Sequence, residues 1–284
     1  LSGRITEKEQ LEGVRVDLKE DKKDPRDFAL WIKADPKHLL QWDSPWGKGY
    51  PGWHIECIVM IEKLLRLPID IHGGGVDLIF PHHENERAEG WAYLGAEPVR
   101  YFLHLGQVQV GGKKMSKSLG NVVELLPLLD KYPSDWVRHT LLATHYRKPL
   151  DFSEERLKQS AKIIARLREA KASAPKTQPD KPILSEIFKA IEDDFNFPLA
   201  LALWDENRNK LSQRSFKILE EIFGFVLKEE KVPEKVWRLA KEREEARKKK
   251  DFQRADKLRK EIEKAGYFIE DTPSGFRLKR KEEV

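Results

Sequence analysis

The sequence predicts an α/β fold with parallel strands, followed by an all-helical bundle that closes in a small C-terminal hairpin. Three observations carry this. Residues 55 to 110 read helix, strand, helix, strand, the order that builds a parallel sheet. From Val122 onward the apolar residues recur at helical spacing. A polar, proline-rich stretch from Ala174 to Pro182 separates two helical runs.

Residues 1–50 are punctuated by Asp24-Pro25, Asp35-Pro36 and Ser44-Pro45, with short extended pieces such as Val14-Arg15-Val16 between them. Such a segment reads as an irregular insertion. Ile55 to Leu67 forms a helix ended by Pro68. Ile69-Asp70-Ile71 is a β-branched strand, and His72-Gly73-Gly74-Gly75 reads as a turn. Pro81 suits the first helical position, where its missing N–H leaves no bond unmade, and that helix runs to Leu94 and stops at Gly95. Tyr101 to Val110 alternates as one strand. Ligands of such sheets sit at the C-terminal ends of strands. Val122–Tyr132 and Asp135–Thr144 are short helices, and Ser153 caps a longer one. Beyond the linker come Leu184–Phe195, Pro198–Leu211 and Phe216–Leu227, then a helical pair over 234–265 and a hairpin from Tyr267 to Lys279 turned at Pro273-Ser274-Gly275.

Net charge is +5, and between Lys241 and Lys260 ten Lys or Arg face five Asp or Glu, so the excess is concentrated there. Local basic charge suits a phosphate-rich partner, although a solvated helix face has the same composition. The one cysteine, Cys57, excludes an intrachain disulfide. No apolar run approaches the roughly 20 residues of a membrane span, and no signal-peptide pattern opens the chain. A cytoplasmic protein is expected. The sequence opens at Leu1 in mid-pattern, which suggests a missing upstream part.

Lys114-Met115-Ser116-Lys117-Ser118, followed by Leu119-Gly120-Asn121, places two lysines three apart in a Gly/Ser loop between a strand and a helix. Fixed lysines there would stabilise charge building on a leaving pyrophosphate more than the ground state. A plain surface loop would share the composition. His82 and Glu86 lie four apart on one helix face, with Cys57 on an earlier segment. All three are zinc-ligand types. The alternative is a small buried thiol and a histidine-capped helix.

The complete Lys-Met-Ser-Lys-Ser loop is similar to the signature loop of class I aminoacyl-tRNA synthetases. Trp53-His54-Ile55-Glu56-Cys57 and the run from Ile71 through Pro81-His82-His83-Glu84-Asn85-Glu86 resemble the two blocks that mark cysteinyl-tRNA synthetases. So do Trp42-Asp43-Ser44-Pro45-Trp46-Gly47, Asp193-Asp194-Phe195-Asn196, Ala255-Asp256 and the tail Asp271-Thr272-Pro273-Ser274-Gly275.

The resemblance implies one Zn2+ per chain, held by Cys57, His82 and Glu86, which would select the substrate thiolate over the serine hydroxyl. It implies Mg2+ with ATP, Lys117 contacting ATP, Lys114 and Lys117 as catalytic residues, and L-cysteine and tRNA(Cys) as substrates. Gly73, Gly74, Gly75 and Asp77 are expected at the nucleotide, and Trp53 and His72 at the cysteine pocket. Arg247, Lys248, Lys249, Lys250 and Arg254 are candidate tRNA phosphate contacts, with Tyr267 and Phe276 as candidate base-stacking rings.

The expected fold is therefore a partial Rossmann-like catalytic domain followed by a helical bundle. An insertion would cover 1–50, the C-terminal half of the catalytic domain 51–121, a helical connector contacting the tRNA stem 122–175, and an anticodon-binding domain 182–284. The family's His-Ile-Gly-His-type ATP motif and a further zinc-ligating cysteine are not in this sequence, so a fragment lacking the N-terminal half is expected. Two rivals share the motifs: a ligase joining cysteine to a small amine, and a non-catalytic module binding tRNA or zinc.

Overall fold

The computed structural model describes residues 23, 27–228, 232–272 and 275–281. The extended piece expected at Val14–Val16 and the hairpin turn at Pro273–Ser274 lie outside them. The chain divides into two compact units, one of residues 1–107 with 147–149 and one of residues 108–146 with 150–284.

In the first unit, β1 (Trp31–Lys33) and β2 (Gly49–Pro51) form a short antiparallel ribbon in what reads from the sequence as irregular chain. Helix α1 (Trp53–Leu64) stops earlier than expected because Arg66 turns into the left-handed region (φ 71°) and the Leu67 N–H is taken by Glu62 Oε2 at 2.9 Å. Strand β3 (Ile69–Gly75) includes the glycine run that the sequence suggests as a turn. The helix expected from Pro81 opens with a wider, π-type turn over residues 81–83 and continues as α2 (Glu84–Leu94). Phe80 alone is extended within Ile79–His83 (φ −137°, ψ 132°), which kinks the chain and leaves Pro81 at the start of the helical backbone that follows. Strand β4 (Val99–Leu105) lies parallel to β3, pairing His72 with Phe102 and Gly74 with His104.

The strand expected to continue to Val110 breaks at Gly106–Gln107. Its second part, β5 (Val108–Val110), belongs to the second unit and pairs antiparallel with β6 (Lys113–Lys114). Helices α3 (Leu125–Lys131) and α4 (Ser134–Leu142) follow, and β7 (Leu150–Asp151) returns to pair parallel with β5. Ser153 caps α5 (Glu154–Ser173), its Oγ accepting from the Arg156 N–H. Then come α6 (Lys181–Glu192), α7 (Phe197–Asn207) and α8 (Gln213–Phe223). Leu157, Ile164, Leu167, Ile187, Trp204, Phe216, Leu219 and Phe223 form their common core. That core spans both sides of the proline-rich linker, which is pinned where Gln213 N–H donates to the Pro175 carbonyl. Each fully buried Leu, Ile or Phe here stabilises the fold by roughly 1.5–3 kcal/mol.

Helices α9 (Glu234–Lys248) and α10 (Phe252–Lys264) and the hairpin β8 (Tyr267–Thr272) with β9 (Gly275–Arg280) enclose a smaller core of Val236, Ala240, Ile262, Tyr267 and Ile269. Among the described residues, no helix is long and apolar enough to cross a membrane.

Candidate active site and metal centre

Cys57 projects from the second turn of α1. His82 comes from the turn before α2 and Glu86 from the first turn of α2. Their ligand atoms lie within 4.8 Å of one another. His82 Nε2 stands 2.8 Å from Glu86 Oε1, one helical turn further on, and 3.7 Å from Cys57 Sγ. His72, expected at the cysteine pocket, turns its Nε2 to the other Glu86 oxygen at 2.9 Å. A second grouping of His72, His83 and Glu86 therefore overlaps the first.

Three further imidazoles belong here that residue spacing does not single out. His54 Nδ1 faces His82 Nδ1 at 2.8 Å, and His83 Nδ1 faces His104 Nε2 at 2.8 Å. Each such pair has one proton to share. His104 reaches the cluster through the β3–β4 register, which sets it beside Gly74. The glycines there make room for the protein's own groups. A Cβ on Gly74 would sit 2.7 Å from the His83 ring, and one on Gly75 would sit 2.4 Å from Asp77 Oδ1. Gly73 has only ordinary contacts at that position and leaves the strand open. Trp53 is exposed and stacks on the His82 ring, with centroids 4.1 Å apart, so it is not a core residue.

The electrostatics favour a cation. Glu86 is buried, and neither of its oxygens receives an aligned N–H although both lie close to imidazole nitrogens. Burial works to raise its pKa, but the nearby His72 and Cys57 donors and the His82 and His72 charges outweigh it, and the carboxyl falls below its ordinary value. Burial, with the Glu86 contact second, pushes the Cys57 thiol up to about 12. Burial also holds His83 neutral down to about pH 4. A half-buried thiol, a buried carboxylate and imidazoles whose protonation burial disfavours at His54, His82 and His83 make a donor set of the kind that binds a divalent ion.

The Lys-Ser loop lies in the second unit. Lys114 ends β6, Ser116 is extended, and Lys117–Leu119 make one tight turn that closes at Gly120 in the left-handed region (φ 63°). Asn121 holds the loop: its Oδ1 accepts from the Ser116 N–H at 2.9 Å and its Nδ2 donates to the Lys114 carbonyl at 3.2 Å. Lys114 and Lys117 are exposed. The tight turn between two anchored points holds both lysines on one short, constrained segment.

On α9 and α10, three of the expected phosphate contacts already have acidic partners: Arg247 pairs with Asp271, Lys248 with Glu244, and Arg254 with Glu242. Among the described residues, Lys249 and Lys250 enter no ion pair. Tyr267 is buried in the small core, so its ring is not open to a base.

The comparisons with known proteins point to one class, the class I aminoacyl-tRNA synthetases. The family model for the tRNA synthetases class I (C) catalytic domain matches residues 2–162, and that for the cysteinyl-tRNA ligase anticodon binding domain matches residues 229–276. The cysteine–tRNA ligase of Heliobacterium modesticaldum is 42% identical, covering 99% of this chain and 68% of that protein. That of Thermococcus onnurineus is 40% identical over 99% of this chain and 67% of its own length. A solved ternary complex of Agrobacterium radiobacter LeuRS with tRNA and LeuAMS overlaps 66% of this chain and 30% of that one, at 19% identity and a TM-score of 0.44. The chain belongs to the cysteine–tRNA ligase family, ligases of the class I aminoacyl-tRNA synthetases, and spans about two thirds of the length of these relatives.

Proposed function

We propose that this chain takes part in activating L-cysteine with Mg2+-ATP and passing the cysteinyl group to tRNA(Cys), with one zinc ion held by Cys57, His82 and Glu86. The observation that carries the reading is the convergence of those three side chains within 4.8 Å. A bound zinc supplies a Lewis acid that prefers a thiolate to a hydroxyl. Glu86 provides the fixed negative charge, and His54 orients the His82 ring through the opposite nitrogen, the usual outer support for a metal-bound imidazole. Trp53, stacked on His82, walls the thiol side, and His72 faces the shared carboxylate.

Lys114 and Lys117 stabilise the negative charge that builds on pyrophosphate as the cysteine carboxylate attacks the α-phosphate. Gly73, with an open side, allows close approach of the nucleotide, and Asp77 stands at the end of the same strand. Lys249 and Lys250 are the unpaired phosphate contacts, with Arg247, Lys248 and Arg254 forming a paired rim. The match of residues 229–276 to an anticodon-binding domain supports tRNA over a small amine as acceptor. In this role the protein works in the cytoplasm. The divisions 1–50, 51–121, 122–175 and 182–284 are kept as its functional segments.

Zinc content and cysteine-dependent ATP–pyrophosphate exchange test the reading together. One zinc per chain is expected, lost in Cys57→Ala. Exchange should favour cysteine over serine and fall about 10²–10³-fold in Lys117→Ala, the usual cost of losing one transition-state charge contact. A protein that takes up no zinc at all sinks the metal assignment.

A further inference from the structure

We infer that Trp237, backed by Phe276 and flanked by Lys241, is a stacking platform for an unpaired nucleobase of the bound RNA. This rests on the tRNA-binding reading above and assigns it a residue. Trp237 stands on α9 between Val236 and Ala240, both buried in the small core, yet its own side chain remains 47% exposed. It is thus not a core residue, although it is held as firmly as one. One side of the indole rests on Phe276 of β9, with centroids 5.2 Å apart and rings inclined at 55°. Phe276 in turn packs against the small core.

The hairpin that presents Phe276 cannot drift from α9. Asp271, the strand partner of Phe276, is clamped by the buried Arg243 through two bonds of 2.8 and 3.2 Å, and by Arg247 at 3.2 Å. The indole therefore needs little ordering before it meets a ligand, which is the cost that weakens most exposed aromatic contacts. Lys241 Nζ lies over the ring at 5.9 Å from its centroid, near the outer limit of a cation–π contact. It is free to leave the ring for a phosphate one nucleotide away. Flat ring, adjacent cation and local positive excess are the combination by which proteins hold single-stranded nucleic acid.

The test is binding of an unmodified tRNA(Cys) transcript to the full chain at fixed low salt. Trp237→Ala should weaken binding about tenfold, within the range for loss of one base stack. Trp237→Leu, which keeps apolar bulk on Phe276 but has no π-face, should be equally weak, whereas Trp237→Phe should restore most of the affinity. Zinc content should not change, and the salt dependence of binding should keep its slope, because no phosphate contact is removed. Lys249→Ala with Lys250→Ala should instead flatten that slope. Wild-type affinity in both Trp237→Ala and Trp237→Leu overturns the platform alone. Failure of the unsubstituted chain to bind the transcript overturns it together with the reading it rests on.

Discussion

The two units bury different things. In the first, the buried aliphatic side chains among the described residues are Ile58, Ile69 and Val99, while His82, His83, Glu86 and Glu89 are buried as well. Met60, Leu64, Ile71 and Tyr101 are more than half exposed. In the second, Leu157, Ile164, Leu167, Trp204, Phe216 and Phe223 are all sealed in one apolar core. A two-stranded parallel sheet with polar groups at its centre is poor in hydrophobic stabilisation. A close-packed helical core is rich in it. The lesson is that the bundle holds its shape by burial, whereas the cluster of the first unit holds its shape through directed polar contacts.

With a zinc ion proposed at that cluster, metal is expected to matter to one unit and volume to the other. The largest effect expected is therefore from zinc removal. Chelation, or Cys57→Ala, should raise amide exchange throughout α1, β3 and α2 by several orders of magnitude while α5 to α8 remain protected, since binding energy at such sites is folding energy. Uniform exchange in both units would break the comparison. Next, Leu167→Ala should cost about 2–5 kcal/mol in urea unfolding of the bundle, the range for opening a cavity in a tight core. Met60→Ala, at an exposed position, should change stability by less than about 0.5 kcal/mol.

A somewhat smaller effect is expected from pH. His139 is buried in α4, with Ser160 Oγ 2.9 Å from its Nδ1, and burial lowers its pKa from 6.5 to about 4. The unfolded imidazole takes up a proton first. Bundle stability is thus complete above pH 6.5 and declines as pH falls toward 4, by at most about 3 kcal/mol. His139→Gln should flatten that part of the profile in urea titrations at pH 7 and 4.5; an unaltered pH dependence would count against it. Smaller in stability than the pH effect is Asn121→Ala. It frees the Lys-Ser loop without touching either core, so unfolding should shift by no more than about 1 kcal/mol. Pyrophosphate exchange should still fall about tenfold, because the lysines lose their fixed position.

Part of this was legible in the residues alone. His82 and Glu86 could be matched because four residues along a helix bring two side chains to one face. The long helices of the bundle were legible for the same reason: their apolar spacing is local. The glycine run misled, since Gly73–Gly75 read alone signals a turn, and only pairing with Leu103, His104 and Leu105 makes it strand. For the charges of α9 and α10 the composition was legible but the partners were not, since Arg247 meets Asp271 of the hairpin and not a residue of its own helix.

What the sequence determined by itself is everything set by neighbours within a turn or two: the helical repeat, the paired imidazole and carboxylate, the lysine loop, and the local basic excess. Tertiary structure alone decided which distant groups meet. It brought Cys57 to His82, His54 to the far nitrogen of the same ring, His104 to His83, and Phe276 beneath Trp237. Those meetings depend on strand register and on the packing of one element against another, long-range arrangements that periodicity along a single chain does not encode.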